Sequence, residues 1–283
     1  MNLLEVEHIS KQYANFTLED ISFSLPAGYI MGYIGQNGAG KTTTLNIITH
    51  LVRAVGNVSI DGIRYEKDPI RYAQRIGYVG DSSYFPETMT VGDVRSVLKD
   101  FYPNFRPADF DGWVEKWKLP LKDKIKTFSR GTKVKLMFAS VLSRDTRLLI
   151  LDEATNGLDP MMRKEVLALL QDYISDGTRS VLFSTHILAD LEQIADYIFF
   201  IDHGKKIFWG AKEDLTDSYL LVKGGREDLS ARLRPALLGI EKNDFGFEAL
   251  YDVKSGITLP AGIAAEKPSI DQIVVHLIED MRY

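Results

Sequence analysis

The stretch Gly35-Gln36-Asn37-Gly38-Ala39-Gly40-Lys41-Thr42 constrains this chain more than any other. It fits G-x-x-x-x-G-K-[ST], a loop that holds phosphate groups. Its flanks agree. Tyr29–Ile34 reads as a buried strand, and Thr42–Val52 places Leu45, Ile48, Leu51 and Val52 at helical spacing. Strand, glycine loop, helix is the order such a loop requires. Glycines let backbone N–H groups approach phosphate oxygens with no Cβ in the way, and the helix N-terminus adds the positive end of its dipole. The expected cradle is Gly35, Asn37, Gly38, Ala39, Gly40, Lys41, Thr42 and Thr43. Lys41 can reach the outer phosphates, and Thr42 can offer its hydroxyl to Mg²⁺.

The second signal is Leu148-Leu149-Ile150-Leu151-Asp152-Glu153. A run of aliphatic residues fits a strand buried on both faces of a parallel sheet. Carboxylates at its C-terminal end stand where α/β sheets bind ligands. Asp152 can hold Mg²⁺, directly or through water, and Glu153 can accept a proton from an attacking water. The competing reading is a pair of acidic loop residues. A phosphate loop in the same domain weighs against it.

Composition narrows the class. The 283 residues suffice for one large domain or two moderate ones. A formal net charge of −5 carries no electrostatic footprint for nucleic acid, and no nucleic-acid partner is expected. The absence of cysteine excludes disulfides, thiolate metal sites and cysteine nucleophiles. No apolar run approaches the roughly 18–20 residues of a membrane span, and the charged, alternating start is not read as a signal peptide. The chain is expected to be soluble by itself, with any membrane role arising through a partner.

Taken in order, Leu3–Ile9 and Ile21–Leu25 read as strands, the second ended by Pro26-Ala27-Gly28. Tyr13 between them can stack on an adenine ring or sit at a sheet edge. Gly56–Gly62 is a short strand closed by an Asp-Gly turn. Arg75–Val79 is another strand, leading to Gly80-Asp81, where a polar residue serves either as a loop cap or in a site. From about 88 to 144 the pattern turns helical. Thr90 and Asp93 fit a capping box for a helix through Phe101, and a second helix carries Trp113, Val114 and Trp117. Ser129 precedes a third helix, whose plainest reading is an N-cap. After Asp152, Asn156–Pro160 is a turn into a helix over Met161–Ile174. Ser180–Ser184 is a strand ending at Thr185-His186, where the histidine caps the sheet or senses a phosphate. Ile198–Asp202 and Lys205–Trp209 form a hairpin. Beyond about Leu215, Tyr219–Val222 and Phe245–Tyr251 read as strands. Ser269 and Gln272 fit a capping box for a last helix, with Ile270, Ile273, Val274, Leu277, Ile278 and Met281 on one face for core packing or a dimer surface.

This ordered set resembles the ATPase subunit of an ABC transporter over about residues 2–215. Gly35–Thr42 resembles its Walker A loop, Leu148–Asp152 its Walker B strand, Glu153 its catalytic carboxylate, Asn156–Asp159 its D-loop and His186 its switch histidine. Tyr13 stands where the family keeps an adenine-stacking aromatic. The resemblance implies an α/β fold: a P-loop NTPase mixed sheet with an antiparallel β subdomain, a helical insertion and a small C-terminal α+β appendix. Its divisions are an ATPase domain over 1–215, with a helical subdomain at about 88–144, and an accessory region over 216–283. It implies ATP and Mg²⁺ as cofactors, a catalytic set of Glu153, His186 and Lys41, and metal ligation by Thr42 and Asp152. Two ATPase subunits would clamp each ATP between one phosphate loop and the other's signature loop. The expected partners are therefore a second ATPase subunit, identical or related, and a separate transmembrane permease. The permease would hold the chain peripherally at the cytoplasmic face of the cell membrane. The placement is closest to bacterial export-type ATPases. The surface around Ser82–Pro86 and the helix from Thr90 is the expected docking site for the permease.

Two departures stand out. Asp81 replaces the glutamine usual at the end of its strand; a carboxylate can meet Mg²⁺ but cannot donate a hydrogen bond when ionised. The usual Leu-Ser-Gly-Gly-Gln signature is here Phe128-Ser129-Arg130-Gly131-Thr132. Ser129 and the Gly131 N–H remain as γ-phosphate ligands at a helix start. A soluble ABC-type ATPase acting on ribosomes or DNA is the alternative. It usually has two ATPase domains or a long coiled coil, and neither is visible. A P-loop kinase would leave Glu153, Asp159 and His186 unexplained.

Overall fold

The computed structural model describes residues 1–281. Its elements in chain order begin with β1 (Asn2–Gln12), β2 (Thr17–Pro26), β3 (Ile30–Ile34), α1 (Lys41–Ile48), β4 (Val55–Ile60), β5 (Ile63–Arg64), α2 (Pro69–Gln74) and β6 (Ile76–Gly80). Then follow α3 (Val91–Phe101), α4 (Pro107–Lys116), α5 (Arg130–Leu142), β7 (Leu148–Asp152), α6 (Pro160–Ile174), β8 (Ser180–Ser184), α7 (Leu188–Ile194), β9 (Tyr197–Asp202) and β10 (Lys205–Ala211). The last are α8 (Lys212–Asp217), β11 (Tyr219–Gly224), β12 (Leu237–Lys242), β13 (Phe247–Asp252), β14 (Ala264–Glu266) and α9 (Ile270–Asp280). The chain divides into two compact units, Met1–Ile187 with Ile194–Trp209, and Leu188–Gln193 with the residues from Gly210 on. Among the described residues, no helix is long and apolar enough to cross a membrane.

The first unit is built on a six-stranded sheet of order β10-β9-β3-β8-β7-β6. β3, β6, β7, β8 and β9 pair in parallel. Every residue of β3, β7 and β8 is buried. Each buried aliphatic side chain of β7 contributes about 1.5–3 kcal/mol through the area it removes from water. The register sets Gly80, Asp152 and Ser184 in one row and pairs Tyr33 with Ser184. The carboxyl ends of β3, β6, β7 and β8 thus meet along one edge. The early antiparallel strands form a sheet of their own, β2-β1-β4-β5. Its apolar face, with Leu4, Val6, Ile9, Ile21 and Phe23, shares a core with Tyr33, Leu45, Ile48 and Phe199. There the Tyr33 and Phe199 rings stack at 4.9 Å.

Several boundaries differ by a few residues from the sequence reading, among them those of the two elements that flank the phosphate loop. α1 ends at Ile48, not Val52, and Leu51 is 76% exposed. His50 takes φ 59° and stacks its ring on Tyr65 at 3.5 Å, which turns the chain out of the helix. β3 begins at Ile30, with Tyr29 partly exposed. The capping boxes at Thr90 and Ser269 form as the residue spacing predicts.

The second unit carries the sheet β12-β13-β11-β14 and α9. Ile270, Ile273, Val274, Leu277 and Ile278 are buried, so the stripe is core packing within this chain. Met281, expected on the same face, is exposed because it lies past the last helical turn. β12 was not legible in the sequence, since a register shift between Leu238 and Glu241 breaks its alternation.

Candidate nucleotide site

Glycine geometry makes the loop between β3 and α1. Gly40 sits at the α1 N-cap with φ 113°, a left-handed position no L side chain adopts easily. A Cβ on Gly40 would approach Phe16 to 2.9 Å, and one on Gly35 would reach the Ile201 carbonyl oxygen at 2.5 Å. α1 has no side-chain cap, whereas Asp68, Thr90, Ser129, Asp159 and Ser269 cap α2, α3, α5, α6 and α9. The first N–H groups of α1 therefore remain available to an anion. They open on a cavity of about 630 Å³ lined by Tyr13, Phe16, Gly38, Lys41, Thr42 and Glu153, with Asn37, Gly40 and Thr43 beside them. Ala39 is buried behind the loop, its carbonyl accepting the Gly204 N–H.

Lys41 is buried, and its Nζ donates to the carbonyls of Gly35 at 2.7 Å and Gln36 at 3.1 Å. Burial pushes its pKa below the usual lysine range, against the pull of Glu153 and Asp152. A phosphate at the loop would offset that desolvation by supplying the opposite charge.

At the end of β7, Asp152 is buried and accepts the Tyr78 hydroxyl on Oδ2 at 3.3 Å. Its Oδ1 is buried and finds no hydrogen-bond partner among the described residues, nor does Ser184 Oγ in the same strand row. Burial, with the neighbouring Glu153 charge, holds the Asp152 carboxyl above the usual carboxylate range, a shift the nearby hydroxyls of Tyr78, Ser184 and Thr42 oppose. An oxygen left without a donor, on a carboxyl that needs a counter-charge, fits a hard divalent cation such as Mg²⁺.

Glu153 takes φ 55°, strained for a residue with a Cβ, and its N–H is held by the Ser184 carbonyl at 2.9 Å. Its Oε2 accepts Asn156 Nδ2 at 2.9 Å and lies 2.8 Å from His186 Nδ1. One carboxylate is thus oriented from both sides, with its side chain mostly buried.

The remaining residues of the sequence reading lie elsewhere. Ser129 caps α5 through the Thr132 N–H at 3.2 Å, and Asp159 caps α6 through the N–H groups of Met161 and Met162. With Gly131 they line a different groove, of about 840 Å³, shared with Trp117 and Met162. Asp81 pairs with the Arg130 guanidinium of the same chain. It lines a smaller recess with Ser82, Phe85 and Lys133, apart from Thr42 and Asp152. Tyr13 is partly exposed at the rim, its ring 6.4 Å from that of Phe16. Sequence reasoning missed Phe16 and Tyr78. Only the register of β6 beside β7 brings the Tyr78 hydroxyl to Asp152.

A parallel sheet whose strand ends gather a glycine loop, a buried lysine and paired carboxylates defines a phosphate-loop nucleotide hydrolase. A family model described as ABC transporter matches residues 18–156. The linearmycin resistance ATP-binding protein LnrL of Bacillus subtilis (strain 168) is 33% identical over 224 residues, 75% of this chain and 70% of that protein. The lantibiotic transport ATP-binding protein SrtF of Streptococcus pyogenes is 31% identical over 217 residues, 72% of this chain and 89% of that protein. A solved ATP-binding subunit of an ABC transporter superposes with a TM-score of 0.70 at 28% identity, covering 76% of this chain and 92% of that one. The chain belongs to the ABC transporter family, as an ATP-binding subunit that hydrolyses ATP.

Proposed function

We propose that this subunit powers export through ATP-driven pairing of two ATPase subunits beneath a separate transmembrane permease. The observation that carries it is the division of the expected ATP ligands between two cavities of one chain. Lys41, Thr42, Tyr13 and Glu153 line one, and Ser129, Gly131 and Asp159 line the other. A head-to-tail pair would face each cavity with its complement from the second subunit. Relatives whose names give linearmycin resistance, lantibiotic transport and bacitracin transport support export as the direction.

In this reading Tyr13 stacks on adenine, and the loop from Gly35 to Thr43 cradles the phosphates. Lys41 offsets charge on the β- and γ-phosphates. Thr42 and Asp152 would hold Mg²⁺, which when bound neutralises developing phosphate charge; Asp81, paired with Arg130 in a separate recess, would join them only by leaving that pair. Glu153 orients the attacking water and takes its proton, and His186 moves from Glu153 to the γ-phosphate. Ser129 and the Gly131 N–H of the second subunit close the sandwich. Residues 1–215 form the ATPase domain with its helical part at about 88–144, and 216–283 are accessory. The chain is held at the cytoplasmic face of the membrane through its permease, docked near Ser82–Pro86 and α3.

The test is the solution mass of Glu153→Gln with and without Mg-ATP. A shift from monomer to dimer supports the homodimeric form. ATP binding without dimerisation requires a different second subunit, and absence of ATP binding overturns the reading.

A further inference from the structure

The second unit holds a cluster that ATP hydrolysis does not use. His276, on α9, is 2% exposed. Its Nδ1 lies 2.6 Å from the Gly239 carbonyl oxygen. A carbonyl only accepts, so Nδ1 carries the hydrogen, and the lone pair of the neutral ring is on Nε2. Nε2 faces acceptors. It stands 3.7 Å from Glu248 Oε1, beyond hydrogen-bond range. One ligand atom each from Glu241, His276 and Glu279 lie within 4.8 Å of one another. Glu241 and Glu248 are also direct partners across the β12–β13 pairing, where like charges disfavour the sheet. Lys223 Nζ pairs with the other oxygen of Glu248, Oε2, at 3.0 Å, and is shared with Glu266.

The backbone holds this cluster in place. Gly239 takes φ 57° in the β12 bulge, and a Cβ there would come within 2.2 Å of the His276 carbonyl oxygen. Its N–H donates to Asp280 Oδ1 at 3.1 Å while its carbonyl accepts the imidazole. The bulge is therefore clamped to the last turns of α9. An imidazole fixed through Nδ1–H to a backbone carbonyl, with Nε2 turned to carboxylates, is the arrangement of a metal-ligating histidine and its supporting hydrogen bond. His276 and Glu279, three apart on α9, present to the same side of the helix.

We infer that Glu241, His276 and Glu279 bind a divalent transition-metal ion, with Glu248 as an adjoining carboxylate, and that the ion staples α9 to β12. Mixed nitrogen and oxygen donors suit zinc or manganese better than magnesium, which takes oxygen alone.

The test is calorimetric titration of the nucleotide-free, chelator-treated full chain with Zn²⁺, beside Glu241→Gln, Glu279→Gln and their double variant. The expected result is one Zn²⁺ site that excess Mg²⁺ does not displace, weakened roughly tenfold or more by either substitution. Zn²⁺ should raise the Tm of the wild-type chain but not of the double variant. The site should persist in Asp152→Asn, which alters only the nucleotide site. His276→Gln is a weaker probe because its buried ring also packs, so the two partly exposed carboxylates decide. No Zn²⁺ uptake by the wild-type chain, or equal uptake by the double variant, overturns the inference.

Discussion

Glu153 meets His186 twice: Oε2 lies 2.8 Å from the ring Nδ1 and accepts the backbone N–H at 3.3 Å. Glu153 is the last polar group of the β7 end and His186 follows β8, so two neighbouring strands deliver both residues to one point. The contact stores the histidine on the carboxylate that the proposed chemistry needs.

Glu153→Gln keeps the shape and the hydrogen bond from Asn156 while removing the basic oxygen. ATP affinity should stay near the wild-type value, and hydrolysis should fall by about 10²–10⁴-fold. Parallel nucleotide-binding and single-turnover measurements check this. Unchanged turnover would remove Glu153 from the chemical step.

His186→Ala removes the ring from Glu153 and from the proposed γ-phosphate contact. A donor to the transferring group is worth about 10²–10³-fold in turnover. ATP binding should change much less, because the loop cradle is untouched. If KM rose with kcat preserved, His186 would be a binding residue only.

Asp81 and Arg130 join the end of β6 to the start of α5. Both are substantially exposed, so the pair contributes only about 0.2–1 kcal/mol to stability. Asp81→Asn should therefore fold with a Tm close to wild type. Its turnover should fall roughly tenfold or more if the pair positions Ser129 and Gly131, since small misplacements are amplified in rate. The swapped pair Asp81→Arg with Arg130→Asp should recover part of the loss, read as a double-mutant cycle. Additive losses would mean that the two residues act separately.

Asp93 accepts the Thr90 N–H and hydroxyl, both at 2.8 Å, and these bonds lower its pKa. A carboxyl depressed in the folded state stabilises above its ordinary value of 3.8, and that contribution disappears as pH falls through the folded value. Asp93→Asn should therefore lower the Tm at neutral pH, with the difference closing in acid. Thermal melts across that range check the sign, and a gap that widens in acid would contradict it.

Much was legible along the chain because its causes are local. A phosphate loop is a run of glycines with a lysine, and a capping box is a hydrogen bond across three residues, so Gly35–Thr42, Thr90–Asp93 and Ser269–Gln272 are visible at short range. The aliphatic run before Asp152 announces a strand buried on both faces. α1 was read too long because Leu51 kept the helical spacing, while the stacking of His50 on Tyr65 came from a distant turn. β12 was missed because the bulge at Gly239 interrupts its period.

By itself, the sequence determined the fold class and the presence of a phosphate-binding, acid-bearing sheet edge, since period and short motifs depend on neighbours in the chain. Only the tertiary structure decided which distant groups meet. It brought the Tyr78 hydroxyl to Asp152, engaged Asp81 with Arg130, parted Ser129 from Lys41 into separate cavities and set His276 among carboxylates from β12, β13 and α9. The strand-borne encounters depend on register and on bulges, and a shift of one residue would turn Tyr78, Glu241 or Glu248 to the opposite face of its sheet.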